Sequence, residues 1–246
     1  MSEASRGAGR IGVLVPFTNV NLEADMAMLC PPGVSMHFAR LGGYDVDEIP
    51  DEAQMAGLGA ADLGEPLRLL LGVKPDVVMY GCTSATLSHG QAFDRDLSET
   101  IRSRSGAVTV TAAGALIHAL QALGAERIAF ASPYVASLND LAIAFLAEAG
   151  VQTVSRADWP EPLGNYGQGA LAPDQVHALG VRADSDKAEV LVLSCTDMRS
   201  VETVDRLEGT LGKPVICSNQ AMLFQALSLA GIPPGRRVGT LMARHL

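Results

Sequence analysis

Short apolar runs alternate along this chain with longer stretches in which apolar residues recur every three or four positions. Runs bounded by Gly, Pro or acidic residues read as buried strands. The 3.6-period stretches read as helices packed over them. In chain order the pattern predicts a strand over 10–16 and a helix after Asn21, with Glu23 and Asp25 at its positive end. A strand over 34–41 and an Ala/Leu-rich helix over 52–71, ended by Gly72, come next. A strand over 76–80 leads to Cys82, and is followed by a helix over 93–103, a strand over 107–111 and a helix over 112–123 closed by Gly124.

The order then starts again. Residues 127–133 echo 10–16, and a helix over 137–149 and a strand over 151–155 follow. Residues 158–169, rich in Pro and Gly, predict an irregular, flexible segment. A helix over about 174–182, a strand leading to Cys195, a helix near 201–211, a strand over 214–217 and a helix over 220–230 complete the chain. The strand before each of two cysteines repeats one formula: an acidic residue (Asp76 or Glu189), an apolar run, a small residue (Gly81 or Ser194), then Cys-Thr. Arg10 to Arg127 and Cys82 to Cys195 are nearly equal steps, so the chain reads as two copies of one β/α unit. Alternating strands and helices with fully apolar strands predict the α/β class with parallel sheets. Cys82 and Cys195 then fall at strand carboxyl ends, where open α/β sheets bind ligands.

Composition narrows the partners. The 246 residues are 48% hydrophobic and 18% charged, which fits a folded globular protein, and the formal net charge is −9 with no basic run. Nucleic acid is therefore not an expected partner. The uncharged stretch 107–125 is interrupted by Thr, His, Gln and Gly and reads as strand plus helix, so no membrane span is expected. The polar, Gly-rich first ten residues read as a loose tail lacking the apolar core of a secretion signal, which makes the cytoplasm the expected compartment. Four scattered cysteines (30, 82, 195, 217) form neither a disulfide scaffold nor a metal motif. Cys30 and Cys217 are expected to be packing residues. The five histidines are dispersed; His89 follows Ser88 near Cys82 and reads as a helix-start or surface residue.

Four segments together resemble the aspartate/glutamate racemase superfamily, and within it the maleate cis-trans isomerase and arylmalonate decarboxylase branch. They are Val15-Pro16-Phe17-Thr18-Asn19, Gly81-Cys82-Thr83-Ser84, Ser132-Pro133-Tyr134 and Leu193-Ser194-Cys195-Thr196. The resemblance implies two pseudo-symmetric Rossmann-like (flavodoxin-like) halves with four-stranded parallel sheets and the active site in the cleft between them. It places residues 10–112 plus about 220–246 in the first half and 113–219 in the second. It implies no cofactor, a homodimer or higher homo-oligomer, and a small dicarboxylate substrate. Racemases of the superfamily carry Asn after the first cysteine, where Thr83 stands here, and decarboxylases carry glycine in place of that cysteine. With both cysteines present, the resemblance favours cis-trans isomerisation, with Cys82 as nucleophile and Cys195 as general acid/base. The alternatives are a two-cysteine racemase or epimerase and an arylmalonate-type decarboxylase. A catalytically silent two-lobed binding protein is the reading from a different class.

The expected substrate-binding groups are Asn19, Thr83, Ser84, Tyr134, Asn165 and Thr196, with nearby backbone N–H groups. Each has a plainer reading. Asn19 is also a natural turn or cap residue, Thr83, Ser84 and Thr196 are natural helix caps, Tyr134 could be a core aromatic and Asn165 part of a solvated loop. Residues 43–64 match nothing obvious in the isomerases.

Overall fold

The computed structural model describes residues 7–42 and 63–246. Strand β1 (Gly9–Pro16), helix α1 (Leu22–Leu29), β2 (Val34–Leu41), α2 (Gly64–Leu70), β3 (Val77–Tyr80), α3 (Thr83–Leu87), α4 (Gly90–Ser105), β4 (Val108–Thr111) and α5 (Ala112–Leu123) follow one another. The second series is β5 (Arg127–Ala131), α6 (Ala136–Glu148), β6 (Gln152–Ala157), α7 (Gly164–Ala170), α8 (Pro173–Ala183), β7 (Val190–Leu193), α9 (Val204–Leu211), β8 (Val215–Cys217), α10 (Ser218–Ala230) and α11 (Gly239–His245). The strands form two four-stranded sheets in the orders β2-β1-β3-β4 and β6-β5-β7-β8, with every pairing parallel. The same strand order in both sheets is the internal repeat made visible.

The sequence formula before each cysteine has a structural reason. The Asp76 carboxylate accepts the Arg10 backbone N–H at 2.8 Å, and the Glu189 carboxylate accepts that of Arg127 at 2.9 Å. Each acidic residue thus pins the start of the neighbouring strand. At the other end the Gly81 N–H donates to the Leu14 carbonyl and the Ser194 N–H to the Ala131 carbonyl, both at 2.8 Å, carrying the ladder up to the cysteine. A Cβ on Gly81 would lie 2.4 Å from Leu22 Cδ2, so only glycine lets α1 close over that strand end.

Helices α5 and α10 each follow the last strand of a sheet and pack on each other at the centre of the molecule. Helix α10 also lies against α1, β3 and β4, and α5 reaches β8. Residues from both series therefore share one apolar core.

Several expectations need correction. The segment 158–169 is not irregular throughout, since residues 164–170 form α7. Helix α4 starts at Gly90, three residues before the predicted 93, and α3 precedes it. The 52–71 helix is described only from Gly64; it ends in a 3-10 turn, and left-handed Lys74 (φ 51°), not Gly72, closes that turn. Residues 52–62, and most of the 43–64 segment, lie outside the described residues, as do residues 1–6 of the expected tail. Gly7 and Ala8 are not loose, because both donate to the Gly33 carbonyl, and β1 begins at Gly9. Helix α11 had no counterpart in the sequence reading. Among the described residues, no helix is long and apolar enough to cross a membrane.

Candidate active site

Cys82 follows β3 and caps α3 with extended backbone (φ −130°, ψ 105°). Cys195 follows β7. Both are free and buried. The helix predicted near 201–211 forms as a 3-10 turn followed by α9 (Val204–Leu211), at some distance from Cys195. A bend leads from Cys195 to that turn at Val201–Thr203. That bend still turns N–H groups toward the sulfur, with the Asp197 N–H 3.4 Å from Cys195 Sγ.

Tyr134 joins the two sulfurs. Its hydroxyl lies 3.2 Å from Cys195 Sγ and 3.5 Å from Ser84 Oγ, which is itself 3.6 Å from Cys82 Sγ. The phenol oxygen thus touches the thiol of one half directly and reaches that of the other through the Ser84 hydroxyl. Tyr134 is held there by its own backbone: its N–H donates to Ser132 Oγ at 3.1 Å, and its carbonyl accepts from the Asn139 amide at 3.2 Å. Asn139 also donates to Asp158 at 2.8 Å, which anchors the Ser132-Pro133-Tyr134 turn to the start of the next connection.

Asn19 caps a helix and also reaches across to the second half. Its Oδ1 accepts the N–H groups of Asn21 (3.1 Å) and Leu22 (2.9 Å), capping α1, while its Nδ2 donates to Thr196 Oγ1 at 3.1 Å. Thr196 in turn donates to the Gly81 carbonyl at 3.0 Å, so the two strand ends are stitched to each other. Thr83 Oγ1 is buried with no hydrogen-bond partner among the described residues, a cost of about 1–3 kcal/mol for a group left unsatisfied. A substrate oxygen would relieve it. Asn165 sits buried on α7, so it belongs to an ordered helix and not to a solvated loop. His89 does not reach Cys82; its ring contacts the Ala85 carbonyl and Phe93.

The two thiols differ in their electrostatics. Burial raises Cys82 above its ordinary value, opposed by the Ala85 N–H, the Ser84 hydroxyl and the Ser84 N–H. Burial also raises Cys195, pushing it up to about 12, with the neighbouring Asp197 carboxylate adding to the rise. Among the described residues, no Lys, Arg or His contributes to either shift. Burial thus holds both thiols above their ordinary value, and of the two only Cys195 has a carboxylate adding to the rise.

Sequence reasoning missed Asp197, Asn139, Asp25 and Asn219. Asp197 stood inside the Cys-Thr-Asp run, and its position was the available signal. Asn219 donates to Asp25 at 2.7 Å and to the Thr196 carbonyl at 2.9 Å, bracing the Cys195 turn from below. Burial pushes Asp25 up to about 7, with Glu202 and Asp197 adding and Asn219 and Arg199 opposing. Between the ordinary value of 3.8 and about 7 the folded state holds a proton that the unfolded state has released, so stability falls as pH rises through that window. Asp25→Asn is expected to raise the thermal midpoint by several degrees at pH 8, with the gain shrinking toward pH 5. A lower midpoint at pH 8, read by calorimetry, would show that the folded protein prefers the carboxylate.

A family model described as arylmalonate decarboxylase matches residues 11–241. The chain belongs to the arylmalonate decarboxylase family. Among curated relatives, the maleate isomerase of Nocardia farcinica is 30% identical over 242 residues, covering 92% of each chain. The arylmalonate decarboxylase of Bordetella bronchiseptica is 29% identical over 243 residues, covering 90% of each. Among solved structures, a cysteine-to-serine mutant of the Nocardia farcinica maleate cis-trans isomerase, carrying a covalently bound succinylcysteine intermediate, superposes with a TM-score of 0.86. That match covers 95% of this chain and 98% of the other at 24% identity, and it establishes a shared fold. Membership of the arylmalonate decarboxylase family thus spans both isomerases and a decarboxylase, and the site chemistry must choose between them.

Proposed function

We propose that this protein is a cis-trans isomerase of a small unsaturated dicarboxylate of the maleate type. The observation that carries the reading is the pair of buried sulfurs, one from each half, linked through the Tyr134 and Ser84 hydroxyls. The thiolate of Cys82 adds to one olefinic carbon. The π electrons move to the other olefinic carbon and onto its carboxylate, forming an enediolate-like anion. Cys195 gives that carbon its proton, leaving a succinyl group on Cys82. Rotation about the new single bond precedes the return: the Cys195 thiolate removes a proton, the double bond re-forms, and Cys82 departs as thiolate with the trans acid released. Atoms and electrons balance within substrate and two thiols, so the reaction as written calls on no cofactor.

The Thr83 hydroxyl, unpartnered among the described residues, together with Ser84, Tyr134, Asn19 and Asn165, supplies neutral donors for the two carboxylates and the developing charge, and Thr196, whose hydroxyl proton goes to the Gly81 carbonyl, orients Asn19. The covalent species reported for the Nocardia farcinica protein is the one this route requires. The curated relative from the same organism, at 30% identity, bears the name of the same reaction. The reading extends to a homodimer or larger homo-oligomer, on the strength of the resemblance alone.

The test is a product assay. Proton NMR in D₂O with separate maleate, D-aspartate and phenylmalonate samples is expected to show fumarate from the first and no turnover of the other two. Turnover of phenylmalonate without any fumarate would replace the isomerase with the decarboxylase. Deuterium exchange into aspartate alone would replace it with a racemase.

A further inference from the structure

The connection between β1 and α1 belongs to the first half and the Cys195 turn to the second, yet two side chains tie them together. Asp197 Oδ1 accepts the backbone N–H groups of Val20 at 2.8 Å and Asn21 at 3.0 Å. The Asn21 amide donates to the Asp197 carbonyl at 2.6 Å and to the Gly169 carbonyl, near the end of α7, at 3.0 Å. A Cβ on Gly169 would stand 2.8 Å from Asp197 Oδ2 and 3.1 Å from Val20 Cγ2, so the absent side chain is what lets α7 close on this junction. On the outer side, Arg40 Nη1 donates to the carbonyl oxygens of Pro16, Phe17 and Asn19 at 3.4, 3.2 and 2.8 Å. Arg40 is itself held by Glu23 at 2.5 Å. The connection is therefore fixed from both sides, and it carries Asn19, while α7 carries Asn165.

We propose that Asp197 and Asn21 form a latch across the two halves that sets Asn19 and Asn165 in place for substrate. Asp197 is a positioning residue: it acts on substrate through the segment it holds. Cys82 and Cys195 are both buried, so the junction has to yield for substrate to reach them. A carboxylate accepts N–H groups about twice as strongly as a neutral acid does, so the latch weakens as Asp197 takes a proton. Burial pushes Asp197 up to about 6, and Val20, Asn21 and Arg40 pull it back. The charged and titratable groups facing it are Arg40 from β2, Asp25 from α1 and Cys195 on its own turn.

This inference rests on the isomerase reading for its kinetic arm only. Asp197→Ala is expected to lower kcat/KM for maleate by about 100-fold, the scale of a misplaced binding group, with most of the loss in KM. Asp197→Asn keeps the accepting oxygen and is expected to restore most of that loss. It should also remove the wild-type fall in kcat/KM near pH 6 that exceeds maleate's own second ionisation, which is common to both proteins. Asn21→Ala, the milder change, should raise KM in the same direction and combine non-additively with Asp197→Ala. The second arm needs no substrate: iodoacetamide should alkylate Cys82 faster in Asn21→Ala and Asp197→Ala than in the wild type. Unchanged KM and unchanged alkylation in both variants would overturn the latch. So would an Asp197→Asn protein as impaired as Asp197→Ala, which would give the charge a direct part in the chemistry. A wild-type protein inert toward maleate would sink the isomerase reading alone, and the alkylation rates would still decide the latch.

Discussion

Cys82→Ala is expected to leave no measurable conversion of maleate to fumarate, a loss of at least about 10⁶-fold, the lower range of enzymatic rate enhancements. No neighbour can replace the sulfur. Ser84 Oγ lies 3.6 Å from it, but a serine hydroxyl ionises far less readily than a thiol, and the Tyr134 phenol is pushed well above its ordinary range by burial and by both thiols. The variant should fold, because Cys82 makes no side-chain cap bond to α3, although Ser84 Oγ lies near its sulfur. Proton NMR of the reaction, with a thermal melt as the control for folding, checks it. Substantial fumarate formation by a folded Cys82→Ala protein would remove covalent addition from the mechanism.

Cys195→Ser separates the two steps. A serine hydroxyl is a far weaker acid than even this raised thiol, so proton delivery and retrieval at the second carbon should slow by about 10³-fold, within the usual range for a lost general acid/base. If Cys82 adds first, the variant accumulates an adduct heavier than the free protein by one maleic acid. Intact-mass spectrometry reads the gain, and a peptide map places it on residue 82. An adduct on another residue, or wild-type turnover, would reverse or erase the division of labour between the two cysteines.

Much of this site was legible in the chain because the chemistry sits at strand ends, and strands announce themselves. The apolar runs before Cys82 and Cys195, each with an acidic residue ahead, mark both the sheet and its carboxyl edge. The same logic failed where glycine serves packing instead of turning. Gly164, Gly167 and Gly169 signalled a loop, yet only Gly164 has a positive φ; a Cβ on Gly167 would meet Leu163 at 2.7 Å, and one on Gly169 would meet Asp197. Such glycines admit a helix into a crowded place, and local sequence cannot tell them from turn glycines. Asp197 and Asn219 were overlooked for a related reason. Their partners, Val20 and Asn21 for one and Asp25 for the other, lie far away along the chain and become neighbours only when the halves come together. The capping part of the Asn19 reading held because capping is a local signal.

The central pairing of α5 and α10 bears on how such a protein could arise. Helix α10 buries nine of its thirteen residues, from Ser218 to Leu227, against neighbours that include the opposite repeat. A half-length precursor would have left that surface wet, unless a second copy of itself lent the missing cover. In the present chain each repeat supplies that cover to the other within one polypeptide, and the joined copies need not stay identical: an acid stands beside the Cys195 sulfur.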